Sequence, residues 1–228
     1  MDYYFLTPSA NHKEVGVFPQ SQSAHNFVEI QEKPFDLQRK IDLEFEIPIP
    51  ILEMKARFTS MLSVVPIPSW FLVFENRFID FISNFNLPIY QTWKMNCIHP
   101  KQTSQMTNYS LFYICNPSDN KVVDYGSSKF YIGKNSDWRF RGDSILIKDK
   151  NEFRLEQEKI MNTGLIKCDE LLLNFSSISE DMIRLSNNPI ANGYLISEKL
   201  KNELDKNQFS GMEFVPVHKR DHRIKVLT

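Results

Sequence analysis

Glycine is scarce in this chain, seven in 228 residues. The glycines never cluster as GxGxxG or stand before a Gly-Lys-Ser/Thr, so no phosphate-cradling loop is encoded. Net charge is almost absent too, −1 at pH 7, which leaves no long-range field to gather nucleic acid or an anionic membrane. Cysteine is limited to Cys97, Cys115 and Cys168, an odd number at wide spacing. Buried, reduced thiols in a cytoplasmic chain fit that usage best, with one disulfide plus a free thiol as the alternative. Neither HExxH nor CxxC occurs, and no cofactor or metal is implied. The first fourteen residues lack a basic segment followed by an apolar stretch, so no secretory signal is expected. The apolar run around Trp70–Phe74 is far too short to cross a bilayer.

What the chain has in quantity is aromatic residues, 18 Phe and 8 Tyr, within an apolar content of 42%. Such a composition fills a sizeable core and excludes a disordered or Gly-rich scaffold. The expected fold is α+β, with mainly antiparallel sheets and a few short helices.

The C-terminal stretch carries the clearest local signals. Tyr194–Ile196 is apolar, Ser197 stands where a helix N-cap belongs, and Leu200 and Leu204 share one helix face. Ser210-Gly211 should stop the helix, and Met212–Val215 reads as extended up to Pro216. The stretch Trp70–Trp93 repeats that pattern at an offset of 122 residues. Val73 falls on Leu195, Phe74 on Ile196, Phe78 on Leu200 and Ile82 on Leu204. Identity is too low to separate a duplication from one supersecondary unit used twice. Two similar halves are the expectation, residues 1–100 and 101–228, packed as one unit.

Elsewhere strands are expected at Asp2–Leu6, Tyr109–Cys115, Val122–Ile132, Ser144–Ile147, Leu171–Phe175 and Met182–Leu185, with a short one at Phe27–Ile30. Residues 9–24 read as loop, and Glu152–Ile160 fits helix or strand. Strict period-two alternation marks Ile41–Ile47, where Ile41, Leu43, Phe45 and Ile47 face inward and Asp42, Glu44 and Glu46 outward. Pro48 and Pro50 should end that strand or hold it at a sheet edge. A solvated face guarding an edge is the plain reading of the three carboxylates. An acidic docking surface is the sharper one, since residues 28–53 hold seven acids against three bases.

Candidate chemistry is thin. Cys97 and His99 suggest a nucleophile and base, although most such cysteines are inert core thiols. Asp124, in Asp-Tyr-Gly-Ser, suits turn hydrogen bonding better than acid–base work. Arg184 lies between Ile183 and Leu185 in an apolar strand, where an ion pair with Asp124 or Asp181 would satisfy it. His218 and His222 have metal-ligand spacing on a helix, yet they sit in a basic tail with no acidic or Cys cluster beside them.

Three segments together carry a family resemblance: Val123-Asp124-Tyr125 to Ser128; Asp181–Leu185; and Tyr194–Leu200 with Gly211–Pro216. They resemble the eleventh-type immunity proteins of bacterial polymorphic toxin systems. The likeness is close from Tyr109 onward and looser over the first half, and Ile183 stands where the family usually has Phe before the Arg. The resemblance implies a non-enzymatic, cytoplasmic antidote whose partner is a cognate toxin domain, and it transfers no catalytic residue. Asp42, Glu44 and Glu46 are then the candidate toxin-binding residues for a basic toxin. Two rival readings stand beside it. One is a regulatory domain that binds a protein unrelated to toxins. The other is a small enzyme with a dispersed site using Cys97 and His99 or Asp124.

Overall fold

The computed structural model describes residues 2–25, 46–137 and 139–227, with backbone alone over 102–107. Among these the elements run β1 (Tyr3–Pro8), α1 (His12–Val15), β2 (Ser21–His25), β3 (Ile49–Leu52), β4 (Met61–Leu62) and β5 (Leu72–Glu75). Then come α2 (Asn76–Ile82), β6 (Tyr90–His99), β7 (Gln102–Ile114), α3 (Asp119–Val122), β8 (Val123–Lys134), β9 (Ser144–Ile145) and α4 (Lys150–Ile160). The chain closes with β10 (Gly164–Asn174), β11 (Met182–Leu185), β12 (Gly193–Ser197), α5 (Glu198–Lys206), β13 (Met212–Pro216), α6 (Val217–Arg220) and β14 (Ile224–Leu227). The fold is α+β, its strands mainly antiparallel and its helices short.

Local chemistry explains the C-terminal unit. The Ser197 hydroxyl accepts the Leu200 N–H at 3.1 Å, which satisfies one of the amides a helix start leaves open. Leu200 and Leu204 are both buried. The helix ends at Lys206, earlier than Ser210-Gly211, through Asn207 and a left-handed Gln208. Gly211 (φ +84°) instead turns the chain into β13, and a Cβ there would stand 2.3 Å from the Met61 carbonyl oxygen. Only glycine fits.

The 122-residue offset holds in three dimensions. In one sheet β12 and β13 flank β1; in another β5 and β6 flank β7. Each unit is a strand, a helix and a second strand parallel to the first, with an antiparallel strand between them. Val73–Leu111–Trp93 forms one cross-strand row and Leu195–Phe5–Val215 the equivalent row. Val73 to Leu195 and Trp93 to Val215 are both 122 residues apart. The next row, Leu72–Phe112–Thr92, matches Tyr194–Leu6–Phe214 in the same way. The hairpins match as well, since β4 pairs with β5 and β11 with β12. The middle strand differs in origin. It follows β6 directly in the first unit and comes from the N-terminus in the second. Accordingly β1 joins the C-terminal strands, and residues 100 and 101 lie in the turn of the β6–β7 hairpin.

These units face one another across a shared core. Met61 and Met182, Leu72 and Tyr194, Phe74 and Ile196, Phe78 and Leu200, and Ile82 and Leu204 all belong to one buried cluster. Alternation sends the other strand faces outward. Val73, Leu111 and Tyr113 join a second cluster with Leu52, Met95 and Cys97. Phe5, Ile183 and Leu195 join a third, against the sheet β14-β10-β8-β9.

The first unit's sheet is extended to β2-β3-β6-β7-β5-β4, and its two edges meet. Ser21 N–H donates to the Ser63 carbonyl (3.1 Å) and Val65 N–H to the Ser21 carbonyl (3.0 Å). Gln20, fully buried, seals the seam. Its amide nitrogen donates to Arg57 O (2.6 Å) and Thr59 Oγ1 (3.0 Å), while its oxygen accepts Ser63 N–H (3.0 Å). A sheet closed in this way hides edges that would otherwise template aggregation.

Several expectations are revised. Residues 9–24 contain α1 and most of β2 rather than loop alone. Residues 152–160 are helical within α4, where Asp149 accepts the Glu152 N–H at 2.9 Å. The proposed strand at Phe27–Ile30, and residues 41–45 of the alternating run, lie outside the described residues. Glu46 and Ile47 precede β3, which runs through Pro50 between β2 and β6. Pro50 is the register partner of Ala24 in β2, while β3 meets β6 in a single register pair, Ile51 with Ile98. The C-terminal tail is a folded part of the sheet, β14 lying parallel to β10.

Candidate functional site

The residues that sequence reading singled out do not converge. Cys97 sits fully buried inside the closed sheet, and burial pushes its thiol up to about 12. A thiol so desolvated is a poor nucleophile at neutral pH. His99 has both ring nitrogens engaged: Nδ1 accepts Lys101 N–H (3.1 Å), so Nε2 carries the proton and donates to Ala56 O (3.1 Å). Asp124 bonds within its own bulge, accepting Ser127 N–H at 3.0 Å, while Ser128 donates to the Asp124 carbonyl at 2.6 Å. That is the turn chemistry its sequence suggests.

Arg184 is paired differently from expectation. Its guanidinium lies 4.6 Å from the centre of the Tyr113 ring and donates through Nη2 to the Tyr113 hydroxyl at 3.3 Å. Asp181 is taken by the Ser197 hydroxyl (2.8 Å), the Asn86 N–H (3.1 Å) and Lys199 (3.2 Å). It ties β11 to the start of α5. Asp119, also buried, accepts the backbone N–H groups of Ser186 and Asn187 and the amide of Asn188. Those bonds brace the loop between β11 and β12.

His218 and His222 line an open cleft of about 730 Å³ with Lys219, Lys225 and Asp2. Among the described residues no group of His, Cys, Asp and Glu is arranged to hold a metal. Asp42 and Glu44 lie outside the described residues, and Glu46 is exposed ahead of β3.

The loop Ser63–Phe71 separates two concave surfaces. On one side is an apolar groove of about 490 Å³, lined by Phe18, Pro19, Val65, Ile67, Pro68 and Phe71 among others. Phe18 is 44% exposed and Val65 64% exposed at its rim. The backbone beneath is fixed by the Gln20 seam. On the other side a cavity of about 320 Å³ is lined by Ser69, Trp70, Arg184, Ser186, Asn192 and Tyr194. Neither surface is foreshadowed by a motif in the sequence. The apolar, proline-rich run Val64–Pro68 was the one available signal for an exposed, rigid loop.

Among the described residues no helix is long and apolar enough to cross a membrane. In comparison with known proteins, no family model matches the chain and no curated protein matches its sequence.

Proposed function

We propose that this protein is a cytoplasmic antidote that binds a cognate bacterial toxin domain and occludes its working surface. The apolar groove carries the reading. Phe18 and Val65 stand exposed over Ile67 and Phe71, and covering apolar surface yields roughly 25 cal/mol per Å². Pro19 and Pro68 stiffen the rim and the Gln20 seam pins its base, so little ordering remains to oppose association. Aromatic and aliphatic anchors in a rigid depression are the usual centre of a protein–protein contact. The resemblance to immunity proteins supplies the identity of the partner. Its segments build β8, β11, β12, α5 and β13, so they hold the scaffold and leave the groove free to vary with the toxin. Asp42, Glu44 and Glu46 are the acidic element of the contact and speed capture of a basic toxin.

The test is a pull-down of the tagged protein from its own cells, with mass spectrometry of what remains bound. A stoichiometric toxin fragment is the expected result. Val65→Asp should then abolish the complex, and charge reversal to Lys at Asp42, Glu44 and Glu46 should slow its formation. The reading fails if a toxin fragment encoded beside this gene does not bind. It fails equally if folded Val65→Asp and charge-reversed proteins protect cells as well as the parent does.

A further inference from the structure

β14 closes the sheet β14-β10-β8-β9 at one end, and among the described residues no strand pairs with its outer edge. The register shows which groups that edge offers. Leu171 N–H donates to the Arg223 carbonyl (3.0 Å), so Arg223, Lys225 and Leu227 turn their backbone groups to β10. Ile224 and Val226 turn theirs away, because successive residues of a strand point to alternate sides. The Ile224 N–H is bonded to the Asp221 carbonyl (3.0 Å). What remains open is the Ile224 carbonyl and both backbone groups of Val226. Such an edge can accept an added strand.

Ile224, Lys225 and Val226 also line the open cleft of about 730 Å³, together with residues of α6 and the start of β1. Its charge is one-sided. His218, Lys219, His222 and Lys225 contribute bases, and Asp2 is the single carboxylate in the lining. Among the described residues Lys219 and Lys225 form no ion pair, and Lys225 Nζ donates to the His222 carbonyl (3.1 Å). His222 lies 3.6 Å from Asp221, a carboxylate already gripped by Arg223. Side chains alternate along β14, so Ile224 and Val226 share one face and Lys225 takes the other. Val226 is 36% exposed. A strand laid beside β14 therefore meets apolar surface at every second residue and positive charge at those between. Pairing with β14 of a second copy would bring lysines together, which is destabilising. An acidic strand meets no such obstacle.

We propose that the outer edge of β14 takes up an extended peptide of alternating acidic and apolar residues as an added strand. Its backbone bonds to Val226 and the Ile224 carbonyl, and its carboxylates meet Lys225 and Lys219. The cleft lies at the Asp2–Tyr4 end of β1 and the apolar groove at the Pro8 end, so this contact is separate from the toxin contact and stands or falls without it.

The experiment uses the full chain labelled with nitrogen-15 at valine, in which loss of a signal in Val226→Ile assigns the Val226 amide. A short peptide of alternating Glu and Val, blocked at both ends, is titrated to about 1 mM, enough to saturate a site of about 100 μM. The Val226 signal should shift saturably and its exchange with solvent should slow. The same peptide N-methylated at every amide keeps the charges and loses the donors, so it should bind at least about tenfold more weakly. Lys219→Glu with Lys225→Glu changes two exposed residues and should weaken the unmodified peptide about tenfold by calorimetry. Val226→Pro removes the outward donor without touching the ladder to β10 and should weaken it by a similar factor; if that variant does not fold, the N-methylated peptide carries the same test. The proposal is overturned if the peptide leaves the Val226 signal in place, or if the N-methylated and unmodified peptides bind alike. It is overturned equally if charge reversal changes nothing, or if a Lys–Val peptide or single-stranded oligothymidylate binds as well as the acidic peptide does.

Discussion

Phe78 and Leu200 stand 122 residues apart in the sequence, at the same position in two copies of one strand–helix–strand unit, and both belong to a single buried cluster. The two units therefore share one buried core. Phe78→Ala should cost about 3–5 kcal/mol and Leu200→Ala about 2–5 kcal/mol, from lost burial plus the cavity left behind. Because they share a core, the double variant should depart from additivity by more than about 0.5 kcal/mol. Urea unfolding followed by two probes measures both. Two separate transitions, one for each unit, would contradict a shared core.

The second unit was legible because its signals are local. A capping serine, leucines at i and i+4, and a following extended run sit within 24 residues, and no distant partner is needed to read them. The same was true of the offset: a pattern match in sequence anticipated rows of paired residues in space. What was hidden depends on partners far away. Only Ile224 of β14 is buried, so that strand shows no alternation and reads as a charged tail. Gln20 looks like any polar loop residue until Arg57, Thr59 and Ser63 close around it. The groove joins Phe18 to Val65, two apolar residues in separate segments with no shared pattern. Glu152–Ile160 read by itself fits helix or strand, and the cap that decides it, Asp149 accepting the Glu152 N–H, stands just outside that stretch.

Gln20 offers the next test. Removing its side chain leaves the Ser63 N–H and the Arg57 carbonyl without that partner in a buried seam, and each such loss costs about 1–3 kcal/mol. Gln20→Ala should therefore destabilise by at least about 2 kcal/mol. Amide exchange should accelerate first at Ser63 and Val65, where β2 and the β4 edge are joined. Uniform acceleration over the whole chain would place the residue outside any local seam.

Gly211 predicts a sharper loss. Its left-handed backbone alone costs a larger residue about 1–2 kcal/mol, and the Met61 carbonyl and Thr59 side chain leave no room for a Cβ. Gly211→Ala should lower stability by more than that backbone penalty, whereas Gly126→Ala, whose added carbon meets nothing closer than 3.8 Å, should be nearly neutral. Thermal melts of the pair decide it; equal effects would remove the steric argument.

The cysteines predict silence. All three are buried, and burial raises Cys97 to about 12 and Cys168 to about 11. At pH 7.5 the native protein should not react with an aromatic disulfide reagent over minutes, and denaturant should release three thiols per chain. A thiol reacting quickly in the folded protein would revive a cysteine-based reaction.

The final prediction concerns acid. Arg223 grips Asp221 through Nε (2.9 Å) and Nη2 (2.6 Å), and those bonds hold the carboxyl down at about 2. Arg223 also accepts Leu171 N–H through its carbonyl (3.0 Å), so the pair fastens β14 to β10. A carboxyl whose folded pKa lies below its unfolded value stabilises the fold above the unfolded pKa, and that contribution fades as pH falls through the folded one. Here the window runs from about pH 4 down to about pH 2, and the contribution at neutral pH is at most about 2 kcal/mol. Asp221→Asn keeps the shape and loses the charge. Its melting temperature should sit below the parent's by a constant gap from pH 8 to about pH 5, and the gap should close between about pH 4 and pH 2. A gap that persists unchanged to pH 2 would mean that the carboxylate charge does not fasten this strand, and that the hydrogen-bond geometry alone does.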